Sequence, residues 1–149
     1  MLKGRKFSYF IISVLSLLLL TGCPGVQDFS LELPGDYSVE SLSAHQVIIS
    51  SETSRQISDT HWSSIIIPAK VVMLGWDDNY ILVKQLGLKR DPNSNNGYKI
   101  PDEDNANFWI LAVHSEEVYG PFDEGDFEEK RNELGVLESV KLKYVNEYR

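Results

Sequence analysis

FWILAVH, residues 108–114, is the most apolar strand-like stretch outside the N-terminal leader. Six consecutive apolar residues, Phe108 to Val113, predict a strand covered on both faces, because a strand with one wet face alternates apolar with polar. Beyond it, Glu116-Glu117 predicts a turn towards Val118 and Tyr119. GPFDEGDFEEKRNELG, residues 120–135, then reads as a helix. Asp123 or Asp126 can cap its N-terminus, acids fill its first turns, and Gly135 can end it. Phe127 and Leu134, with Phe122, form its inward stripe. VKLKYV, residues 140–145, alternates again and predicts a last strand with Lys141 and Lys143 facing out.

Towards the N-terminus, WDDNYILVKQLGL (76–88) places a turn at Asp77-Asp78-Asn79 between two strands, a hairpin. Its first strand lies in SSIIIPAKVVMLGW (63–76), where Pro68 splits two β-branched runs. Proline cannot donate to a ladder, so Pro68 marks an edge, a bulge or a change of strand. HQVIIS (45–50) predicts another strand, and FSLELPGDYSVE (29–40) predicts two more around a type II turn at Leu33-Pro34-Gly35-Asp36. The polar stretches 50–60 and 89–107 read as an exposed loop and a long connection. The expected architecture is a single mostly β, α+β domain: an antiparallel sheet of about six to eight strands with one late helix.

The leader has its own logic. Lys3, Arg5 and Lys6 give a positive start, and Phe7 to Leu20 is a mostly apolar run. As a helix that run spans ~21 Å, short of the ~30 Å hydrocarbon layer, which disfavours an uncleaved span. Leu20-Thr21-Gly22-Cys23 follows and contains the single cysteine of the chain. A lone cysteine closes no disulfide within its own chain. The tetrad resembles the lipobox of bacterial lipoproteins: an aliphatic residue, two small ones, then cysteine. That resemblance implies a diacylglyceryl thioether on Cys23 (palmitate-type acyl chains), cleavage between Gly22 and Cys23, and anchoring by two or more chains. The expected organisation is a signal peptide over 1–22, a lipidated tether over 23–28, and an extracytoplasmic domain over 29–149.

Cleavage there removes 22 of the 149 residues and leaves 127, enough for one ordinary core without disulfides. The leader carries three of the 14 Lys and Arg and none of the 22 Asp and Glu. Eleven bases then face 22 acids, a net charge of −11. Such a surface argues against nucleic acid and against lying flat on anionic lipid. The expected partners are the membrane, through the lipid, and a protein or envelope component.

Chemistry is thinly signalled. Asp91, Asn93 and Asn95 present oxygens at alternate residues, as a calcium loop does, and Asp102 falls at the twelfth position. Gly97 stands one place late for that turn, and no helix is expected on either flank. An Asn/Gly-rich loop between strands is therefore favoured, with no metal or other cofactor expected apart from the covalent lipid. Calcium or a small ligand at 91–104 is the alternative. His45, His61 and His114 lack a helical pairing, and no Gly-x-Ser-x-Gly elbow, second cysteine or phosphate loop occurs. No catalytic residue is assigned, and an unrecognised envelope hydrolase is the further alternative. Trp109 is expected in the core. Trp76 is the better candidate for exposure, with core or hairpin packing favoured for the tryptophans including Trp62.

The series LPGDYSV (33–39), AHQVIIS (44–50), WDDNYILVKQLGL (76–88), FWILAV (108–113) and YGPFDEGDFEEKRNELG (119–135) resembles a family of small lipoproteins of unknown function from Bacillus and relatives. The resemblance implies no activity, cofactor or catalytic residue. It implies a Gram-positive cell and a domain on the outer face of the cytoplasmic membrane.

Overall fold

A computed structural model of the chain describes residues 29–58 and 61–149. Its strands are β1 (Phe29–Glu32), β2 (Tyr37–Ser43), β3 (Gln46–Ser58), β4 (His61–Ile67), β5 (Val71–Trp76), β6 (Tyr80–Arg90), β7 (Lys99–Ala112), β8 (Val118–Phe122) and β9 (Lys143–Tyr144). One α-helix, α1 (Glu124–Glu133), precedes β9, and a 3-10 turn (Val145–Tyr148) follows it. All pairings are antiparallel, in one sheet of order β1-β2-β3-β4 and another of order β8-β7-β6-β5-β9.

The two sheets face each other. Val39, Val47, Ile49 and Ile67 of the first pack with Val71, Leu74, Ile81, Val83 and Leu111 of the second. The second sheet is also covered on its far side, where Leu82, Phe108 and Ile110 meet Phe127 of α1 and then Val136 and Val140. Phe108 and Ile110 therefore point one way while Trp109 and Leu111 point the other, which is why 108–113 needs no polar residue. Removing each such side chain from water contributes about 1.5–3 kcal/mol.

The punctuation follows the sequence. Gly35 sits at φ +72 in the 33–36 turn, the sign that a type II turn requires of its third residue. Asp77 Oδ1 accepts from the backbone N–H groups of Asn79 and Tyr80, each at 2.8 Å, and so closes the β5–β6 hairpin. Pro68 stands where the chain leaves the first sheet for the second. Asp123 caps α1, its Oδ1 accepting from Asp126 N at 2.9 Å. At the other end Gly135 N bonds Asn132 O and Val136 N bonds Arg131 O, the paired arrangement of a Schellman cap. This delivers buried Val136 to the cluster around Phe127.

Three expectations are corrected. Residues 50–58 are not a loop: β3 runs through them to Ser58 and pairs with β4, in a register with several shifts. Backbone pairing does not require apolar side chains where a hairpin faces water. The supposed connection 89–107 shrinks to 91–98, because β6 and β7 continue as a twisted ribbon in which Leu88 faces Pro101 and Lys89 faces Ile100. The expected strand over 140–145 is paired only at Lys143 and Tyr144. Val140 and Leu142 pack on the helix side, and the carbonyl of Lys141 presses against β5 at Gly75. A Cβ on Gly75 would lie 2.2 Å from that oxygen, so glycine is what admits this approach.

Candidate functional site

A groove of about 420 Å³ opens at the end of the sandwich where the β2–β3 turn, β5 and the C-terminal segment meet. Ser41, Ser43, Ala44 and Val47 form one wall, and Lys70 through Met73 form the next. Leu86 and Glu103 contribute from the β6–β7 ribbon, and Tyr144, Val145, Asn146 and Arg149 close the far side.

Each wall is held from behind. The register passes from Val71↔Gln85 to Met73↔Lys84, so Val72 is the extra residue of a β-bulge lying on the groove. Bulges bend a strand and re-aim its side chains. Lys70 exchanges backbone hydrogen bonds with Leu86, at 3.0 and 2.8 Å. Behind it, buried Gln85 donates to Ala69 O at 3.2 Å and accepts from Trp109 Nε1 at 3.1 Å. The C-terminal wall is pinned by Tyr148, whose hydroxyl donates to Leu74 O at 3.0 Å and whose ring packs on Trp76 at 4.8 Å between centroids. Burial, and secondarily Glu147, raises the Tyr148 phenol above its ordinary range, so it remains a donor at neutral pH.

The groove inverts the charge of its surroundings. Its charged lining side chains are Lys70, Lys84, Arg149 and Glu103, in a chain of 22 acids and 14 bases. Arg149 lies 4.4 Å from the Phe29 ring centre, and the Lys84 ammonium 5.4 Å from that of Phe108. Among the described residues no histidine or cysteine lines the groove. The lining sets three cations and one carboxylate beside apolar side chains.

A second depression, about 480 Å³, lies at the opposite end and is lined by Asp36, Asp78, His114 and Glu116 among others. Along β2 the two ends are about 20 Å apart, six residues at ~3.3 Å each. Among the described residues no group of three His, Cys, Asp or Glu is placed to hold a metal ion.

The residues singled out from the sequence fall as follows. Gly22 and Cys23 lie outside the described residues, as do the whole signal and tether. Asp91 Oδ1 accepts from Asn93 N at 2.9 Å, a local turn, while Asn96 accepts from Tyr98 N at 3.1 Å and from the Ser94 hydroxyl. Asn95 is exposed at the tip. Asp102 stands in β7 opposite Gly87, four residues beyond the level of Asp91, or about 13 Å along the ribbon. Ligands of one calcium ion lie at most about 5 Å apart, so these four residues are not brought together. Asp102 instead pairs with Lys89 at 2.8 Å, which lowers the carboxyl and raises the ammonium from their ordinary values.

His45 is in the β2–β3 turn, edge-on to Tyr98 at 5.7 Å, and His114 is exposed after β7. His61 opens β4, and its side chain and that of Trp62 lie outside the described residues. The three histidines thus come from different turns and strand ends. Trp109 and Trp76 are both partly buried against the core between the sheets. The groove residues escaped the sequence reading. Their only signal was a lysine set against or inside an apolar run, Lys70 before VVMLGW and Lys84 within YILVKQLGL.

Residues 34–146 match the family model described as Protein of unknown function (DUF3997). The chain belongs to this family. The match runs from the β1–β2 turn into the 3-10 turn, so DUF3997 takes in every strand but β1, with α1 and every groove residue except Arg149. No curated protein and no solved structure matches the chain. Among the described residues no helix is long and apolar enough to cross a membrane.

Proposed function

We propose that this DUF3997 protein is a membrane-tethered lipoprotein whose β domain is a binding module on the outer face of the cytoplasmic membrane. The observation that carries the tether is Leu20-Thr21-Gly22-Cys23, with the chain's single cysteine directly behind a basic and then apolar leader. Resemblance to the Bacillus-type lipoproteins points to the same address, a Gram-positive surface. A binding role is supported by the groove, whose lining combines cations with apolar side chains. The partner class is an envelope component or protein reached from close to the membrane, since β1 starts at Phe29, six residues after Cys23.

Fractionation of cells expressing wild type and Cys23→Ser tests the tether. Wild type is expected in the membrane fraction with incorporated labelled palmitate, and the variant unlabelled and unprocessed. Equal labelling of both would refute the lipobox reading. Turnover by the purified chain across a broad hydrolase panel would refute the binding reading.

A further inference from the structure

The two ends of the sandwich differ in charge and in the apolar surface they offer. The turns 33–36, 77–79 and 113–117 make the far end, and they carry Asp36, Asp77, Asp78, Glu116 and Glu117 with no lysine or arginine. At the groove end the lining holds three bases and one acid. The ribbon 87–102 beyond it holds Lys89, Arg90 and Lys99 against Asp91 and Asp102. Exposed apolar side chains gather at this end too. Leu42 lies between groove-lining Ser41 and Ser43, and Tyr144 lines the groove. Tyr98 sits at the ribbon tip with its ring against His45 of the β2–β3 turn. The three are 56%, 57% and 49% exposed respectively.

The tether enters at the same end. Phe29 pairs with Ser41 of the groove wall, and β1 then runs away to Glu32, opposite Ser38. The chain before Phe29 therefore arrives from the groove side. Six Cα steps separate Cys23 from Phe29, a reach of at most ~22 Å when fully extended. The sandwich measures about 20 Å between its ends, at ~3.3 Å per residue. A lipid on Cys23 thus keeps the groove end near the bilayer, and turning the acidic end down takes nearly the whole reach. Lying on α1 is no better, since that helix carries Glu124, Asp126, Glu128, Glu129 and Glu133 against two bases.

We propose that the tethered domain stands on its groove end, with Leu42, Tyr98 and Tyr144 in the headgroup layer and Lys70, Arg90 and Lys99 towards lipid phosphates. This rests on the lipobox reading and adds which face meets the bilayer. Leucine and tyrosine suit that layer, where an apolar body enters the acyl boundary and a hydroxyl stays wet. Anionic headgroups attract nearby cations over a Debye length of about 10 Å, and the far-end acids stand beyond it.

The test places the purified lipoprotein in vesicles of equal parts phosphatidylglycerol and phosphatidylcholine, the latter brominated near the carbonyl end of its chains. A nitrobenzoxadiazole fluorophore is attached to one introduced thiol, from Ser43→Cys at the groove end or Asp78→Cys at the far end, Cys23 being blocked by its thioether. Flotation with the vesicles reads the tether, and quenching in the floated fraction reads the orientation. Strong quenching with a blue shift is expected at 43 and little at 78. The pair Leu42→Glu and Tyr98→Glu is expected to remove most of the quenching at 43 and to leave flotation unchanged. Should Ser43→Cys fail to fold, Asn95→Cys at the ribbon tip serves in its place. Floated protein quenched equally at both positions, not quenched at 43, or indifferent to the paired substitution overturns the proposal and leaves the tether standing. Failure to float overturns the tether and the proposal together.

Discussion

Replacing Phe127 by alanine should detach α1 from the sheet it covers. Phe127 is 1% exposed and is the one buried residue of the helix. Its ring lies 5.0 Å from that of Phe108 and shares a cluster with Leu82, Ile110, Val136 and Val140. Truncation at such a site costs about 3–5 kcal/mol in lost transfer and residual cavity. About 0.5–1.5 kcal/mol of that belongs to the ring pair alone. A domain of this size is stable by about 5–15 kcal/mol, so about a fifth or more of the total is at stake. Equilibrium urea unfolding reads the loss as a lower midpoint at unchanged slope. Phe127→Leu retains most of the volume and should cost under about 1.5 kcal/mol. A Phe127→Ala loss below about 1 kcal/mol would refute the claim that the helix seals the far face of the second sheet.

Gly75→Ala forces a Cβ to within 2.2 Å of the Lys141 carbonyl, so the 141–142 segment must shift. Thermal unfolding should show a loss of about 1–3 kcal/mol, as for other overpacked sites. Glu117 accepts from the hydroxyls of Tyr119 at 2.6 Å and Ser115 at 3.1 Å, bonds that hold its carboxyl below the usual glutamate value. A lowered folded value means stabilisation present above the ordinary carboxylate range and lost as pH falls through the folded value. An NMR titration should therefore give Glu117 a midpoint below ~4.3, moving upward in Tyr119→Phe. Trp109→Phe removes the donor to Gln85 Oε1 and leaves that buried oxygen without it. The cost read by urea unfolding should be about 1–3 kcal/mol, and smaller when Gln85→Leu is added.

Much of the fold was legible because local chemistry and tertiary packing agreed. The unbroken run Phe108–Val113 announced a doubly covered strand, and Pro68 announced the passage between sheets. Asp123 and Gly135 framed the helix. The misses share one cause: hydrophobic periodicity reports burial, whereas pairing is a property of the backbone. Residues 50–58 and 99–107 are mostly polar, yet their backbones are paired along much of their length. Conversely, Val140 and Leu142 alternate like a strand but lie outside the paired segment of β9.

The groove was not legible at all. Lys70, Lys84 and Arg149 are spread over eighty positions of sequence, and only the β5–β6 hairpin and the docking of the 3-10 turn bring them to one place. The apparent calcium spacing failed for the opposite reason. Residues close in sequence were drawn apart once the chain ran out as a ribbon at ~3.3 Å per residue. The tether differs again, since its evidence is wholly in the leader and in Cys23.

Mass spectrometry of the mature protein's N-terminal peptide, extracted from membranes, tests that tether most directly. The expected species begins at Cys23 and carries a diacylglyceryl thioether. A mature chain that begins elsewhere, or an unmodified Cys23, would contradict it.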